Sequence, residues 1–494
     1  MKLNFDTYKD KVRACWIGKN IGGTMGGPFE CAKEILNVTG FTSAPGEPLP
    51  NDDLDLQLVW LHALETVGPR GINASTLGEF WLNFIPPHWN EYGIGKANMK
   101  RGLIPPLAGD YDNTWSHSNG AWIRTEIWAC AAPALPELAA KYAIEDAKVD
   151  HGCGEGTPAA AFVAAMQSAA FALKTLEECI AVGLAAIPEN SRVARSIRLA
   201  QQYYAEGRSW QDARNAVQQQ NADIGNGWFE APSNVAYTII GLLWGEGDFK
   251  KSMLIAINCG DDTDCTAATA GATMGILYGT AGIPADWAEY IGDRIITISL
   301  THGGVGKGFP ASCTELTDRV TDLAPSVLYS YRVVHGHRGK HWYEVFLGSE
   351  EDIPASVGEE MRRKVSEFIS EPLAALKPYT MHFEEQMLFA DVVLSTPAVQ
   401  PGGDVQVQVN LGADDCFEHQ PYTATLRWIL PEGFTVSGPK NAFISRRDRH
   451  TVNVTPLSYT ITAGENVCAE NRAVLEVTLH GRHTAMYVSF VLLG

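Results

Sequence analysis

The pattern of apolar and polar positions divides the chain into two parts. As far as about residue 375, apolar residues recur at helical spacing between Gly and Pro breaks. The alanine-rich stretch 158–175 has small residues on every face, which is typical of a helix packed closely among other helices. Further helices are predicted over residues 54–66, 176–186 and 266–278. The first part therefore predicts an all-helical domain.

The pattern changes after about residue 385. Apolar and polar residues then alternate in segments rich in Val and Thr, with turn signals roughly every 8–12 residues. This spacing predicts an antiparallel β-sandwich of the immunoglobulin or fibronectin type III kind. Residues 330–385 predict a connecting strand and helix. The expected organisation is a helical domain over residues 1–375, a linker over 376–385 and a β-sandwich over 386–494.

Charge and composition limit which classes of binding partner and which cellular compartment the sequence predicts. The 38 basic and 57 acidic residues give a formal net charge of −19, and most of the acid excess lies in the helical part. Such a field repels phosphate backbones and anionic lipid, so nucleic acid and membranes are poor candidate partners. No secretory signal, membrane-spanning run or CxxC pair is present in the sequence. We therefore expect a cytoplasmic protein with reduced cysteines, and a homo-oligomer is left open.

Two acidic clusters, NDDLD at residues 51–55 and GDDTDC at 260–265, each precede a helical pattern. Capping is one interpretation, because Asp is favoured at helix N-termini, but one Asp satisfies a cap. If both helix starts face one pocket, four carboxylates converge and require a cation among them. Oxygen ligands select a hard ion, Mg²⁺, Mn²⁺ or Ca²⁺, rather than zinc. The carboxylates of this predicted site are those of Asp52, Asp53, Asp262 and Asp264.

The chain resembles the ADP-ribosylglycohydrolase family in five motifs, which follow the family's order over about the first 320 residues. The resemblance implies an all-helical fold and a site for two Mg²⁺ or Mn²⁺ ions. It covers only the helical part, so the β-sandwich is an addition to the usual family member. The matching motifs are GKNIGGTMGGPFE (18–30), NDDL (51–54), SNGAWIR (118–124), DH (150–151) followed by TP (157–158), and GDDTDC (260–265).

The resemblance also implies roles for individual residues. Asp262 is the expected general base, with Asp53 as a further catalytic residue and Glu30 as the glutamate at the pocket mouth. Each site residue also has a structural interpretation: Glu30 could begin a helix over CAKEIL, the Gly-rich run could serve helix packing, and Trp122 could be a core residue. The expected metal ligands are Asn51, Asp52, Asp53, Asp262 and Asp264, and the expected substrate-binding residues are Asn119, Gly120, Trp122 and His151.

Several positions depart from the family's pattern. Asn51, Leu54 and Cys265 stand where the family usually has threonines, and Gly23 replaces a common Asp. An Asn can still offer an amide oxygen to a hard metal, and Asp55 is a nearby substitute. Cysteine is a poor ligand for Mg²⁺. With these departures the sequence still predicts the metal pocket, but it does not identify the substrate.

The function predicted from the resemblance is a metal-dependent glycohydrolase. It would cleave the N- or O-glycosidic bond at the anomeric carbon of an ADP-ribosyl or related ribosyl substrate, using a metal-activated water. One alternative is a glycoside or nucleoside hydrolase on the same scaffold that acts on another furanosyl compound. Another is a non-catalytic, ligand-binding or structural family member. The four retained aspartates argue against this last alternative, because buried unpaired acids are costly without a metal to hold.

Overall fold

The computed structural model describes residues 1–301, 305–335, 343–385, 388–413, 421–445 and 454–494. Helices form the first part of the chain, as its apolar pattern predicts. No helix in these ranges is both long and apolar enough to cross a membrane. The helices are α1 (Phe5–Gly26), α2 (Asp52–Val67), α3 (Ala74–Phe84), α4 (Asn90–Lys100), α5 (Leu107–Asp110), α6 (Glu126–Ala131), α7 (Pro136–Ala147), α8 (Gly156–Ala169), α9 (Leu176–Ala185), α10 (Arg192–Ala205), α11 (Trp210–Gln220), α12 (Ala231–Gly245), α13 (Phe249–Asn258), α14 (Thr263–Tyr278), α15 (Ala285–Ile291), α16 (Cys313–His335), α17 (Val357–Val365) and α18 (Glu371–Ala375).

The helices predicted from periodicity are found, with shifted ends. The segment 54–66 lies in α2, 176–186 corresponds to α9, and 266–278 lies in α14. Every residue of α8 is buried, as small side chains on all faces predict. This helix ends at Ala169 rather than at residue 175, because an alanine-rich pattern carries no stop signal of its own.

Helices α1 and α14 pack against each other with almost no space between them, and this pair determines where the acidic clusters meet. The two helices run antiparallel with their backbones nearly touching. A Cβ atom at Gly26 would lie 2.3 Å from the carbonyl oxygen of Thr263, so only glycine fits there. The Gly-rich run of the first motif therefore serves helix packing. This packing brings the end of α1, and with it Glu30, next to the acidic start of α14.

Eleven strands lie in the described residues. A short parallel pair joins β1 to β2, which is the strand predicted within 330–385. The other strands form two antiparallel sheets, in the orders β3-β4-β5-β9-β7 and β11-β10-β6-β8, and share one apolar core. The strands are β1 (Lys2–Asn4), β2 (Phe346–Gly348), β3 (Thr380–Glu385), β4 (Leu388–Leu394), β5 (Asp404–Ala413), β6 (Tyr422–Ile429), β7 (Thr435–Ser437), β8 (Asn441–Ile444), β9 (Thr455–Thr462), β10 (Glu470–Leu479) and β11 (Ala485–Leu493).

The predicted fold class, a helical domain followed by antiparallel sheets, is confirmed. The segment 376–385, expected to be a linker, contains β3, which pairs with β4 along its whole length. Residues 386 and 387, where the sandwich was expected to begin, lie outside the described ranges. Leu103 and Leu107 of the helical part join the apolar core of the sheets, so the two parts pack together.

Candidate functional site

A cleft of about 780 Å³ lies where the end of α1 and the starts of α2, α4 and α14 meet. The sequence predicts that the two acidic clusters share a pocket, and the structure places carboxylates from both on the wall of this cleft. Another acidic residue, Glu91, joins them from α4. The acidic residues lining the cleft are Glu30, Asp52, Glu91, Asp262 and Asp264.

Helix capping does not account for the two acidic clusters. The cap of α2 is Asn51, whose side-chain oxygen accepts a hydrogen bond from the backbone N–H of Asp53 at 2.7 Å. Asp262 occupies the N-cap position of α14, but its carboxylate makes no capping bond. Instead its Oδ2 accepts a hydrogen bond from Asn119 Nδ2 at 2.6 Å. The capping interpretation therefore fails for the acids that line the cleft.

Three buried carboxylate oxygens in this site have no hydrogen-bond partner: Asp53 Oδ2, Asp262 Oδ1 and Asp264 Oδ1. Asp53 is fully buried, and Asp262 and Asp264 are 4% and 8% exposed. Buried polar atoms are almost always hydrogen-bonded, and of these three oxygens only Asp53 Oδ2 has a cation nearby, Lys19 Nζ at 3.6 Å. The three oxygens together therefore indicate a missing partner. A divalent cation fits them, because anionic oxygens are the ligands that Mg²⁺ and Mn²⁺ prefer.

The ligand atoms are also close enough together. Oxygens of Glu30, Asp262 and Asp264 lie within 4.8 Å of one another. A second group of the same size joins Asp53, Asp264 and Cys265. Because Asp264 belongs to both groups, the two candidate positions for a cation are adjacent.

A buried lysine lies next to the second group, which Asp53, Asp264 and Cys265 form. Lys19 is fully buried, with its Nζ 3.6 Å from Asp53 Oδ2 and 3.1 Å from Glu126 Oε1. Burial acts to lower the pKa of Lys19, but Glu126 and Asp53 raise the pKa above its usual value. The ammonium group therefore stays charged and offsets part of the negative charge of the site.

The acidic wall shifts the pKa values of its own members. Burial, and then Asp264, raise the pKa of Asp52 to about 7, although a hydrogen bond from Tyr92 opposes the rise. Glu30 is an exposed residue, but partial desolvation of its carboxyl and the charge of Asp264 raise its pKa to about 8. The pKa of Asp262 is raised well above the ordinary range, chiefly by burial and then by Asp264. Each of these carboxyl groups therefore binds its proton more tightly than an exposed carboxyl does.

Gly23 and Asn51, two positions that depart from the family's pattern, pack against each other. A Cβ atom at Gly23 would lie only 1.6 Å from Asn51 Nδ2, so the absence of a side chain at Gly23 makes room for the amide of Asn51. The oxygen of that amide is used to cap α2, and Asn51 does not line the cleft. Asn51 therefore supports the aspartates that follow it, and any contact with a cation would need the remaining lone pair of its oxygen.

Asp55, considered in the sequence as a substitute ligand, serves another purpose. Its Oδ2 accepts hydrogen bonds from the backbone N–H groups of Ile298 at 2.6 Å and Ser299 at 2.8 Å. Ile298 lines the cleft. Asp55 thus anchors the segment that forms one wall.

The predicted substrate-binding residues divide into two groups. Asn119 and Gly120 line the cleft, as expected, but Trp122 is fully buried. The indole Nε1 of Trp122 donates a hydrogen bond to Asn119 Oδ1 at 2.9 Å, while the amide nitrogen of Asn119 bonds Asp262. Trp122 is therefore a core residue that positions Asn119, and its ring is not available for stacking on a ligand.

His151 is also fully buried and does not line the cleft. Its Nδ1 lies 2.8 Å from Asp150 Oδ1, and its Nε2 lies 3.2 Å from the hydroxyl of Ser118. That hydroxyl lies 2.7 Å from Glu91 Oε2. His151 therefore lies behind the cleft surface. Ser118 and Glu91, rather than His151, line the cleft.

Glu30 and Cys31 do not begin a helix. A short 3-10 turn, Gly27–Phe29, ends at Glu30, and the chain then runs without helix as far as α2. The backbone of Ala32 forms a β-bridge with Asp261 instead. The helical interpretation of CAKEIL is therefore wrong, and Glu30 is held at the cleft mouth by this bridge.

Sequence reasoning missed several residues of the site. Tyr92 donates a hydrogen bond to Asp52 Oδ2 at 3.0 Å, and Asn234 donates one to Asp261 Oδ2 at 3.1 Å. The Oδ1 atom of Asn234 also accepts from the backbone N–H of Asp262 at 3.3 Å. No periodicity or spacing marks these residues, since each lies on a helix remote in sequence from its partner.

The comparisons with known proteins agree with the motifs. A family model described as ADP-ribosylglycohydrolase matches residues 4–320. An ADP-ribosylarginine hydrolase Tri1 of Pseudomonas putida (strain GB-1) is 43% identical over 49 residues, which cover 10% of this chain and 13% of that protein. The Tri1 protein of Serratia proteamaculans (strain 568) is 43% identical over 47 residues, with the same coverage of 10% and 13%. The chain thus matches only a small part of the length of these curated relatives.

Two solved structures show low similarity to parts of this chain. A chain titled ADP-ribosylglycohydrolase-related protein complex has 19% identity and a TM-score of 0.42, covering 65% of this chain and 98% of that one. A FixG-related protein from Vibrio parahaemolyticus has 8% identity and a TM-score of 0.18, covering 22% of this chain and 97% of that one. Because the family model matches well over half of the sequence, the chain belongs to the ADP-ribosylglycohydrolase family.

Proposed function

We propose that the protein is a metal-dependent glycohydrolase that cleaves the glycosidic bond at the anomeric carbon of a ribosyl substrate. The observation that carries this proposal is the set of three buried carboxylate oxygens without hydrogen-bond partners, on Asp53, Asp262 and Asp264. A purely structural cluster of this kind would be a large uncompensated cost. Membership of the family supports glycohydrolase chemistry.

The cation-holding residues of this proposal are Asp52, Asp53, Asp262 and Asp264, with Asn51 as a capping residue whose oxygen keeps a free lone pair. Mg²⁺ or Mn²⁺, in two adjacent positions around Asp264, suits these oxygen ligands. When bound, such ions supply Lewis-acid polarisation of water and a grip on vicinal sugar hydroxyls. They also offset the mutual repulsion of the carboxylates.

Asp262 is the proposed general base. The amide of Asn119 fixes its Oδ2, and Trp122 in turn fixes that amide, so the orientation of the carboxylate is set by two successive hydrogen bonds. Its Oδ1 has no hydrogen-bond partner in the protein, so one lone pair could face the cation while the other accepts a proton from an attacking water. Asp53, held by Cys265 and Lys19, would contribute negative charge close to the oxocarbenium-like centre.

Glu30 has a different role in this proposal. It is exposed at the cleft mouth and lies within reach of Asp262 and Asp264. A carboxyl with that access can exchange protons with bulk water between turnovers, and it can move as substrate enters. Asn119 and Gly120 would contact the sugar, because both line the cleft.

Two substrate classes fit this site. ADP-ribosyl conjugates are supported by the family and by the similarity to proteins named ADP-ribosylarginine hydrolase. A furanoside or nucleoside without phosphate is the second candidate. One observation favours it: among the described residues that line the cleft there is no lysine or arginine to pair with a diphosphate.

The metal requirement is tested by thermal melting with and without Mn²⁺ or Mg²⁺. A ligand that binds only the folded protein raises the melting temperature, so we expect an increase for the wild type. Asp262→Asn and Asp264→Asn should lose most of that increase. Asp261→Asn is the matched control, because the neighbouring carboxylate has partners on both oxygens, Lys33 on Oδ1 and Asn234 on Oδ2. If neither ion shifts the wild-type melting temperature, the non-catalytic interpretation gains support.

Product analysis then separates the substrates. The metal-loaded protein is incubated with ADP-ribosyl-arginine, ADP-ribosyl-serine, nucleosides and aryl furanosides, and released sugars are separated by chromatography. Release of ADP-ribose supports the first class. Release of free sugar, with ADP-ribose conjugates untouched, supports the second.

A further inference from the structure

Cys265 places a sulfur atom among the carboxylates of the site. The residue lines the cleft and is 5% exposed, and its Sγ donates a hydrogen bond to Asp53 Oδ1 at 3.3 Å. Its sulfur and one oxygen each of Asp53 and Asp264 lie within 4.8 Å of one another. Among the described residues, the groups of this kind contain no other cysteine.

Cys265 packs partly in the large apolar core of the helical part, but carboxylates also lie beside its sulfur. Cys259, for comparison, packs in an apolar cluster with Tyr237 and Ile240, where a cysteine is simply a small apolar group. Beside Cys265, by contrast, Asp264 Oδ1 is buried without a hydrogen-bond partner. This unpaired oxygen indicates that a ligand belongs next to the sulfur.

We propose that the Cys265 sulfur is a ligand of the bound cation, and that it makes the site prefer Zn²⁺ or Co²⁺ over Mg²⁺. The inference rests on the proposed metal site and assigns its metal class. Thiolate is a soft ligand that favours zinc and late transition metals, whereas an all-oxygen site favours Mg²⁺. On binding a cation, the thiol would lose its proton to solvent. The sulfur and Asp53 would then both bind the cation in place of their present hydrogen bond.

Neighbouring features of the site are consistent with one softer position. Asp53 and Asp264 supply oxygen ligands next to the sulfur, giving a mixed sulfur and oxygen set of the kind that zinc accepts. Lys19 pairs with Asp53 Oδ2, whereas Cys265 contacts Oδ1, so a cation beside Cys265 would share that carboxylate with the ammonium group. The other group, formed by Glu30, Asp262 and Asp264, contains only oxygen donors. The two positions would therefore differ in metal preference.

The test uses the full chain stripped of metal by chelator and then titrated with Co²⁺. A cobalt–thiolate bond gives a strong charge-transfer absorption in the near ultraviolet, which oxygen ligands do not give. We expect this band in the wild type and its loss in Cys265→Ser and Cys265→Thr. Cys31→Ser is the matched control, since Cys31 is an exposed thiol beside Glu30 and should leave the band unchanged.

A competition experiment measures the preference itself. The wild type is loaded with Zn²⁺ and challenged with Mg²⁺, and the released zinc is quantified. Cys265→Thr replaces the sulfur with a hydroxyl. We expect the ratio of zinc affinity to magnesium affinity to fall by at least about tenfold, because changing groups around a bound metal typically alters metal affinity about 10- to 100-fold. Unchanged melting temperatures of the metal-free variants would show that both still fold.

Two outcomes would overturn the inference. One is a Co²⁺-dependent rise in melting temperature without the thiolate band. The other is an unchanged zinc-to-magnesium ratio in Cys265→Thr. Either result would leave an oxygen-only metal site and the proposed function intact. If no divalent ion raises the melting temperature of the wild type, the metal site and this inference both fail.

Discussion

Two clusters of buried acids lie near the Asn119–Gly120 turn, one reached through Asn119 and the other through Gly120, and they are neutralised in different ways. In one cluster, Arg124 donates hydrogen bonds to Asp146 at 2.9 Å and to Asp150 at 2.8 Å, and all three side chains are fully buried. In the other cluster, Asp262 and Asp264 each keep one oxygen without a hydrogen-bond partner. The same residue type is therefore compensated within the protein in one cluster and left uncompensated in the other.

The electrostatics of Asp150 and Asp262 follow this difference, whereas burial raises the pKa of Asp146 to about 6 although Arg124 opposes the rise. Burial acts to raise the pKa of Asp150, but Arg124 and then His151 bring the pKa below its usual value. For Asp262, burial raises the pKa well above its usual value, and Asp264 raises it further. The first cluster is a structural ion-pair network. The second needs a positive charge from outside the polypeptide, which is the basis of the proposed metal site.

The largest expected effect is on turnover. Asp262→Asn keeps the shape of the side chain and the contact with Asn119 but removes the proposed base. Loss of one central catalytic group typically costs 100-fold or more, so we expect turnover to fall by at least about 100-fold. The assay is steady-state hydrolysis of whichever substrate product analysis identifies, with circular dichroism to show an intact fold. Near-normal turnover would remove Asp262 from the mechanism.

The next effect is on stability and belongs to the other cluster. Arg124→Met leaves Asp146 and Asp150 buried without their cation, and breaking such a pair costs about 3–5 kcal/mol. Denaturant unfolding measures the change. Arg192→Met is the matched control, because Arg192 also pairs with both oxygens of one aspartate, Asp223, but at the surface. Exposed pairs contribute about 0–1 kcal/mol, so equal losses in the two variants would contradict the comparison.

A smaller effect is expected from Trp122→Phe, which removes the hydrogen bond that orients Asn119. One hydrogen bond contributes about 1 kcal/mol, so kcat should fall about three- to tenfold with the fold preserved. Trp128→Phe provides the control. Its indole bonds Asp146 in the Arg124 cluster, so it should lower stability without changing kcat. An equal fall of kcat in both variants would mean that Trp122 acts only through the core.

The smallest effect is the pH dependence of the metal-free protein. The folded-state pKa of Asp52 is raised to about 7, so the folded form binds a proton more tightly than the unfolded chain. Stability from this group is gained as the pH falls below about 7 and lost as the pH rises through it. We expect the melting temperature at pH 6 to exceed that at pH 8.5 by about 1–3 °C. Calorimetry with and without Mn²⁺ measures the difference.

Two comparisons sharpen the pH experiment. Asp52→Asn should reduce the difference, because the side chain no longer titrates. Saturating Mn²⁺ should reduce it as well, because the cation replaces the protons. His382 provides a background change, since hydrogen bonds to Asp391 and Glu384 raise its pKa to about 9 despite burial. A pH dependence that is identical in the Asp52→Asn variant would assign the effect to groups such as His382.

Local patterns were sufficient to predict most of the fold. Helical spacing located α2, α9 and α14, and alternation located the two antiparallel sheets. Their ends were less accurate, as α8 shows, because helix ends depend on which carbonyls find other partners. The pairing of β1 with β2 was not predictable, since the two strands are more than 300 residues apart and neither carries a distinctive pattern.

The motifs predicted the acidic residues that line the cleft other than Glu91, but not the role of each. Asp262, Asp264, Asn119 and Gly120 line the cleft, as expected. Trp122 and His151 do not, because a motif identifies a position along the chain and says nothing about how much of a side chain reaches the surface. The substitution of Asn51 could be interpreted only together with Gly23, whose missing side chain leaves space for it.

The order of residues along the chain was enough to determine that this protein has a helical part with two acidic helix starts, followed by antiparallel sheets. Those features depend on spacing and on short-range preferences, which a single sequence carries. The packing of α1, α2, α4 and α14 decides which carboxylate oxygens lack a hydrogen-bond partner and which cysteine sulfur lies among them. Such pairings join residues more than 200 positions apart, as Asp53 and Cys265 show, and the distance in space between them follows only from the packing of the whole domain.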